Sequence, residues 1–349
     1  LSLSRNRIET LHIMTMKSLF SLLSIVLIAS ATLVAQDQTA AITAYNEARE
    51  LAQGKDYSAA IDKYTEAIEI ASQLGEEGED IKNRSEKQIP KLYFTIAVDA
   101  FNEFRGGPSL EKLDAAIALF IQSEEIGVSS GDTDVQRKST SVLAQLNYQK
   151  GLMLFKREMF VESEVALDEA IRINPNYAKA YYQKALVHKK NSPEDVDGIM
   201  SWYDQAIATA IRVNDSEVER LANQSAHGDL LFRGAKAVEA GNPTQAIELL
   251  QSSLDYFSES ADSYYRLAEA SNKLTRYNDA VRYSAQALDF ETGGNTDKAK
   301  IFFELGLANQ MLGNKGEACS AYESASYGSF KQPSEYKMEY ELKCESTRP

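Results

Sequence analysis

The sequence predicts an all-α fold built from helical hairpins, and three observations support this prediction. The chain has 349 residues but only 7 prolines, so residues that interrupt helices are sparse. Small residues recur at a fixed spacing, as two closely packed helices require where they cross. Short turn sequences such as Gly54-Lys55-Asp56 and Gly241-Asn242-Pro243 separate stretches of helical apolar periodicity.

The charge balance argues against one class of partner. The chain carries 37 Lys and Arg against 51 Asp and Glu, which gives a formal net charge of −14. Neutralising nucleic-acid phosphates needs a concentrated basic face, so we expect no nucleic-acid partner. Hydrophobic residues make up 44% and charged residues 25% of the chain, which is typical of a globular protein.

Residues 14–35 have the pattern of a signal peptide. Lys17 precedes an uncharged, mostly apolar run over residues 18–35, and small residues stand near its end. We expect cleavage after Ala31 or Ala35. An uncleaved membrane anchor is the alternative, although the run is shorter than the roughly 20 residues that span a bilayer. Residues 1–13 are interpreted as an upstream extension from a mis-annotated gene start. The mature chain is then expected to have no stable transmembrane segment and to be periplasmic, with secretion as the alternative.

A repeat emerges when the chain is aligned on its small residues. Gly or Ala is followed twelve residues later by Ala or Ser, then four later by a large residue, and three later by another Ala or Ser. The large residue is expected to fill the gap towards the neighbouring hairpin. Five units follow this spacing: Ala48-Ala60-Tyr64-Ala67, Gly151-Ser163-Leu167-Ala170, Gly234-Ala246-Leu250-Ser253, Ala268-Ala280-Ser284-Ala287 and Gly306-Ala318-Tyr322-Ala325. Two more, from Ala97 to Ala116 and from Ala185 to Ala206, fit with insertions.

The interval between units indicates a known family. Gly151 and Ala185 are 34 residues apart, as are Gly234 and Ala268. This period, with the segment 264–288, resembles the tetratricopeptide repeat family, here as an exported bacterial member, over most of residues 40–328. The resemblance implies a right-handed α-α superhelical solenoid of about seven helix-turn-helix repeats. Residues 329–349 are then expected to form a C-terminal capping helix and tail.

No catalytic or cofactor motif accompanies the repeat. The sequence lacks the GxxxxGK[ST], GxGxxG, HExxH and GxSxG patterns. After signal removal only His188 and His227 remain as histidines, and no CxxC pair joins them. We therefore predict a protein that is not an enzyme and has neither a cofactor nor a metal site.

The two cysteines allow a disulfide. Cys319 falls in the last repeat and Cys344 in the expected cap, and an exported chain with an even cysteine count permits a bridge. The alternative is two buried free thiols that act as small apolar residues.

The resemblance implies that the first helix of each pair lines a concave face that binds a protein or peptide. Aromatic residues stand three positions before six of the seven first small residues, and they are candidates to contact the partner. The alternative is that they pack against a neighbouring helix. With polar neighbours one turn on, the candidate partner-binding residues are Tyr45, Arg49, Phe94, Tyr148, Tyr182, Lys189, Tyr265, Glu269, Asn272, Phe303 and Gln310. The small residues expected to pack the repeats are Ala48, Ala60, Gly151, Ser163, Ala185, Gly234, Ala246, Ala268, Ala280, Gly306 and Ala318.

Two functions from different classes fit this pattern. The first is a non-enzymatic scaffold or adaptor that binds a protein or peptide partner. The family's peptide-carboxylate clamp would need lysines where Tyr148, Tyr182 and Tyr265 stand, so recognition of chaperone tails is not expected. The second is a periplasmic protein that binds glycans or peptides in nutrient uptake. Trp202 is the chain's single tryptophan, so the sequence offers little tryptophan surface on which a sugar could stack. No cysteine near the signal's end provides a lipid anchor. Both observations argue against this second function.

Overall fold

The computed structural model describes residues 37–344, and within that range the chain forms helices and short connections without a strand. The helices are α1 (37–53), α2 (Tyr57–Gln73), α3 (Glu79–Glu86), α4 (Ile89–Gly106), α5 (Leu110–Ser130), α6 (Thr133–Lys156), α7 (Phe160–Ile173), α8 (Ala178–Asn191), α9 (Val196–Val213), α10 (Ser216–Glu239), α11 (Pro243–Tyr256), α12 (Ala261–Lys273), α13 (Tyr277–Phe290), α14 (Asn295–Leu312), α15 (Lys315–Ala325) and α16 (Lys331–Tyr336). The predicted signal peptide lies outside the described residues.

The chain divides into two compact units, one ending at Pro175 and one beginning at Asn176. Unit 1 contains the helix pairs α1/α2, α4/α5 and α6/α7, with the short α3 after the first pair. Unit 2 contains α8/α9, α10/α11, α12/α13 and α14/α15, followed by α16. The prediction of an all-α helical-repeat fold is therefore confirmed, and the described chain has the seven expected pairs.

The small residues of the repeat lie where the two helices of a pair cross. All eleven predicted packing residues are buried. A Cβ atom added to Gly151 would stand 2.7 Å from Cγ of Leu167, and one added to Gly234 would stand 2.6 Å from Cγ of Leu250. The large residue therefore also covers the glycine of its own pair.

Local sequence explains where the helices begin and end. The carboxylate of Asp215 accepts a hydrogen bond from the Val218 amide at 3.2 Å and thereby caps the start of α10. Gly241 has a φ of 79°, a left-handed conformation that suits glycine, and Pro243 opens α11 two residues later. Such turns are short enough to force the two helices of a pair to run antiparallel.

In unit 2 the first helices of the pairs form one layer. Helix α8 packs against α10, α10 against α12, and α12 against α14, whereas successive second helices make fewer contacts. Closer spacing on one side bends a stack towards that side, so the first-helix side is the inner side of unit 2. We call the surface of α8, α10, α12 and α14 the first-helix face.

The C-terminal segment folds back on the last pair. After the turn Gly328–Phe330, α16 and a π-helical turn over Lys337–Leu342 pack on α15. A disulfide joins Cys319 on α15 to Cys344, with 5.9 Å between their Cα atoms. We call residues 331–344 the strap. Among residues 37–344, no helix combines the length and the apolar character needed to span a bilayer.

Candidate functional site

A groove opens on the first-helix face of unit 2. It has a volume of about 430 Å³ and lies among α10, α12 and α14. Its main side chains are Leu231, Phe232, Asp262, Tyr265, Arg266 and Lys300, and Phe330 also lines it. Its lining combines apolar and charged side chains, contributed by three consecutive helix pairs.

Phe232 is the most exposed apolar side chain of this groove. Its side chain is 62% exposed, and it stands one position after Leu231, which packs against the hydrophobic core. Successive residues on a helix point about 100° apart, so Leu231 faces inwards and Phe232 faces the solvent. A large aromatic ring left in solvent beside a groove is typical of a contact residue.

Tyr265 forms part of the groove wall and is surrounded by cations. The Lys300 ammonium lies 5.0 Å from the centre of its ring, and the Arg266 guanidinium lies 5.1 Å away. Burial of the hydroxyl raises the pKa of Tyr265 to about 12, so the side chain is neutral at physiological pH. The corresponding large position of its own pair holds Ser284, which is too small to engage the ring.

The charges that border the groove are paired. Lys300 contacts Asp262 at 2.6 Å, which links α14 to α12. Arg266 contacts Glu269 at 2.7 Å on α12. These pairs hold the long side chains in place over the Tyr265 ring, while their hydrogen-bonding groups stay accessible to a partner.

A buried polar pair lies beneath this surface. Glu304 on α14 is only 9% exposed, and its Oε2 accepts a hydrogen bond from Nδ2 of Asn272 on α12 at 2.8 Å. Burial raises the pKa of Glu304 to about 7, and the nearby charge of Glu269 adds to that rise. The first-helix face therefore contains a carboxyl group that titrates close to neutral pH.

The structure places most of the aromatic residues that were predicted to contact a partner differently from Tyr265. Four of the rings pack edge-on or tilted against an aromatic residue of the second helix in their own pair, with ring centres 5.6–6.2 Å apart. These pairs are Tyr45–Tyr64, Phe94–Phe120, Tyr182–Tyr203 and Phe303–Tyr322. For these four the packing alternative describes the main contact. Tyr148 is half-buried on α6.

The polar candidates are also distributed over different roles. Arg49 is exposed beside the Tyr45 ring in unit 1. Lys189 pairs with the buried Asp229 at 2.9 Å. Gln310 is held by the strap, since its Nε2 donates to Glu341 at 2.7 Å. Only Asn272 requires a correction, because it is buried and hydrogen-bonded to Glu304, and so it does not face a partner.

Sequence reasoning missed three residues of this region, namely Phe232, Lys300 and Glu304. Phe232 and Lys300 fall outside the register of the small-residue repeat, so that alignment does not select them. Asn272 and Glu304 are 32 residues apart. Asn272 follows Ala268 by four residues, whereas Glu304 precedes Gly306 by two, so the repeat alignment does not bring this pair together.

The histidines have structural contacts. His188 pairs with Asp195 at 2.9 Å, and Nδ1 of His227 lies 3.0 Å from the Ser253 carbonyl oxygen. Across residues 37–344, no three His, Cys, Asp or Glu side chains come together in a way that could hold a metal ion.

The seven helix pairs define the class of the protein as an all-α helical-repeat protein. The paired helices expected from the 34-residue period are thus present in residues 37–344.

Comparison with solved structures finds helical proteins of low sequence identity. Solved structures similar to the chain include YrrB, described as a TPR protein with an unusual peptide-binding site, with 14% identity and a TM-score of 0.31 over 52% of this chain and 84% of that one. MamA from Desulfovibrio magneticus RS-1 has 17% identity and a TM-score of 0.32 over 57% and 97%. The TPR2AB domain of yeast Sti1 in its pHSP90 complex has 12% identity and a TM-score of 0.30 over 86% and 95%.

Because these TM-scores are near 0.3, the assignment of the repeat rests on the helix pairs of this chain. No protein-family model matches the sequence, and a search of curated proteins found no match.

Proposed function

We propose that the protein is a non-enzymatic scaffold that binds an extended segment of a partner protein on the first-helix face of unit 2. The observation that carries this proposal is the groove in which Phe232 is 62% exposed beside Tyr265. Burying an aromatic ring of this kind supplies a large part of the binding free energy at protein interfaces. The paired charges of Lys300 and Asp262 at its border offer hydrogen bonds to a peptide backbone.

We further propose that this scaffold acts outside the cytoplasm, most simply in the periplasm. The support is the signal-peptide pattern over residues 14–35, together with a pair of cysteines that is bridged in the fold and suits an oxidising compartment. Fractionation of cells that produce the full chain, with Edman sequencing of the mature protein, tests this part. Recovery of the uncleaved chain in the cytoplasm would contradict it.

Site-specific crosslinking in living cells tests the binding surface. A photoreactive phenylalanine at position 232 is expected to crosslink one dominant protein. The same group at Val165, which is 64% exposed on α7 of unit 1, serves as the matched control. Equal yields of the same product from both positions, or no product from position 232, would contradict the proposal.

The affinity of the crosslinked segment gives a second readout. Phe232→Ala is expected to weaken binding of the corresponding synthetic peptide by about tenfold or more, since residues of this kind contribute over 1 kcal/mol at interfaces. Val165→Ala is expected to leave the affinity unchanged. The competing function, binding of glycans, is less favoured because the Lys184 ammonium lies 4.0 Å from the centre of the Trp202 ring and occupies a stacking surface. Specific binding on a glycan array without any peptide binding would reverse that order.

A further inference from the structure

The contact between α12 and α14 contains a carboxyl group, that of Glu304, which receives few hydrogen bonds. Glu304 Oε2 accepts a hydrogen bond from Asn272 Nδ2 at 2.8 Å, and the same amide group donates to the Glu304 backbone oxygen at 3.0 Å. Asn272 and Glu304 are both buried. Together they join two neighbouring helix pairs, α12/α13 and α14/α15.

One atom of this pair lacks a partner. Oδ1 of Asn272 is buried and has no hydrogen-bond donor. A buried acceptor without a donor is unfavourable by the cost of its lost hydration. An ionised carboxylate can only accept hydrogen bonds, whereas a protonated carboxyl also has one O–H group to donate. Protonated Glu304 therefore provides, within the same pair, the kind of donor that Oδ1 requires.

The surrounding charges do not stabilise an ionised Glu304 strongly. From α12, Glu269 opposes the negative charge, while the Asn272 hydrogen bond and the cations Lys273 and Arg266 favour it. Both of these cations already contact Glu269, at 2.7 and 4.0 Å. Burial raises the pKa of the Tyr265 hydroxyl on α12 and of the Tyr322 hydroxyl on α15, and the charge of Glu304 contributes to both rises, so both tyrosines lie within its electrostatic reach.

Helix α13 packs on α14. On α13, Arg282 forms an ion pair with Asp279 at 2.9 Å. Burial is the largest influence on the Glu304 carboxyl, and it raises its pKa from 4.5 to about 7.

We propose that Asn272 and Glu304 form a proton-dependent latch that holds α12 against α14 when the carboxyl is neutral and loosens when it ionises. Loosening follows because the buried charge must recruit water or draw Lys273 and Arg266 away from Glu269. Lys300 precedes Glu304 by one helical turn on α14, and Tyr265 and Arg266 lie on α12. Because these three residues line the groove, loosening of α12 against α14 changes the geometry of the groove. The latch itself does not depend on a bound partner.

The pH dependence of folding tests the proposal in the full chain. A carboxyl group whose pKa is raised in the folded state stabilises folding at pH values below its unfolded-state pKa. This stabilisation is lost as the pH rises through the folded-state pKa. Between pH 4.5 and about 7, the folding equilibrium constant of the natural protein relative to Glu304→Gln should fall by up to about tenfold per pH unit, and by on the order of a hundredfold in total. The exposed Glu248→Gln variant should follow the natural protein. Parallel curves for the natural protein and Glu304→Gln would overturn the proposal.

Nuclear magnetic resonance of the unmodified protein provides a readout that does not depend on a variant. With glutamate labelled at its carboxyl carbon, one resonance should titrate near pH 7. Hydrogen exchange, corrected for its intrinsic pH dependence, should then show lower protection of α12 and α14 at pH 8 than at pH 6, with α8 and α9 as the internal control. Titration of every glutamate below pH 5.5, or equal protection of α12 and α14 at both pH values, would overturn the proposal.

Discussion

At the scale of single residues, three of the helix pairs depend on the absence of a side chain where their helices cross. Gly151, Gly234 and Gly306 each face a large buried residue of the opposite helix, and the added Cβ would come within 2.6–2.8 Å of it. Leu250 is fully buried opposite Gly234. The recurring glycine is therefore a requirement of packing and not a source of flexibility.

Helix α10 offers a direct comparison between two of its glycines. Gly234→Ala is expected to lower the free energy of unfolding by about 1–3 kcal/mol, because the new methyl group overlaps Leu250. Gly228→Ala, where an added Cβ meets no atom within 4 Å, is expected to raise it by up to about 1 kcal/mol, because alanine favours the helix. Urea denaturation of both variants measures these changes. Equal effects of the two substitutions would contradict the packing argument.

At the scale of elements, the strap stabilises the end of the last helix pair through several contacts. The disulfide closes a segment of 25 residues between Cys319 and Cys344. Within it, Glu341 accepts hydrogen bonds from Gln310 at 2.7 Å and Lys337 at 2.8 Å. Gln310 in turn accepts a bond from the Tyr322 hydroxyl at 2.9 Å. The strap thereby connects to both α14 and α15, and a terminal repeat needs such a cover for its exposed side.

Removal of the bridge should weaken this cover. Replacing both cysteines, Cys319→Ser with Cys344→Ser, is expected to lower the free energy of unfolding by about 3 kcal/mol, the loop-closure value for a segment of this length. Thermal unfolding with and without a dithiol reductant measures the effect. The natural protein should lose stability on reduction, whereas the double variant should not respond. A natural protein whose unfolding is unaffected by complete reduction would contradict the expectation.

At the scale of the whole molecule, each compact unit has a hydrophobic core of its own. In unit 1 a cluster that includes Phe104, Phe120 and Leu146 is buried among α4, α5 and α6. In unit 2 one cluster surrounds Leu250 and Leu267, and another surrounds Tyr203. Each repeat gains its stability from its neighbours along the stack, so a unit with several complete pairs contains what it needs to fold.

This argument predicts that unit 2 folds as an isolated fragment. Residues 176–344, produced alone under oxidising conditions, should show a helical far-ultraviolet circular dichroism spectrum and a cooperative thermal transition. A fragment with only the single pair α10/α11 should show neither, because it leaves its apolar surfaces uncovered. A fragment of unit 2 that has no cooperative transition would contradict the prediction.

Local chemistry was sufficient to predict the helix pairs. Turn sequences such as Gly241-Asn242-Pro243 act within a few residues, and the spacing of Gly234 and Ala246 reports the crossing of two adjacent helices. Both signals lie inside one repeat, so a single sequence contains them in full. The number of pairs and the buried position of every predicted packing residue followed from these local rules.

The tertiary structure alone decided which aromatic residues are available for binding. Tyr45, Phe94, Tyr182 and Phe303 share their register with Tyr265, but each of them meets an aromatic ring from its own second helix. Tyr265 stands in the pair whose large position is Ser284, and so it becomes part of a groove.

The contact between Asn272 and Glu304 likewise joins residues 32 positions apart. Register along a helix is a local property, whereas exposure and proton affinity depend on what the neighbouring helices place opposite each side chain.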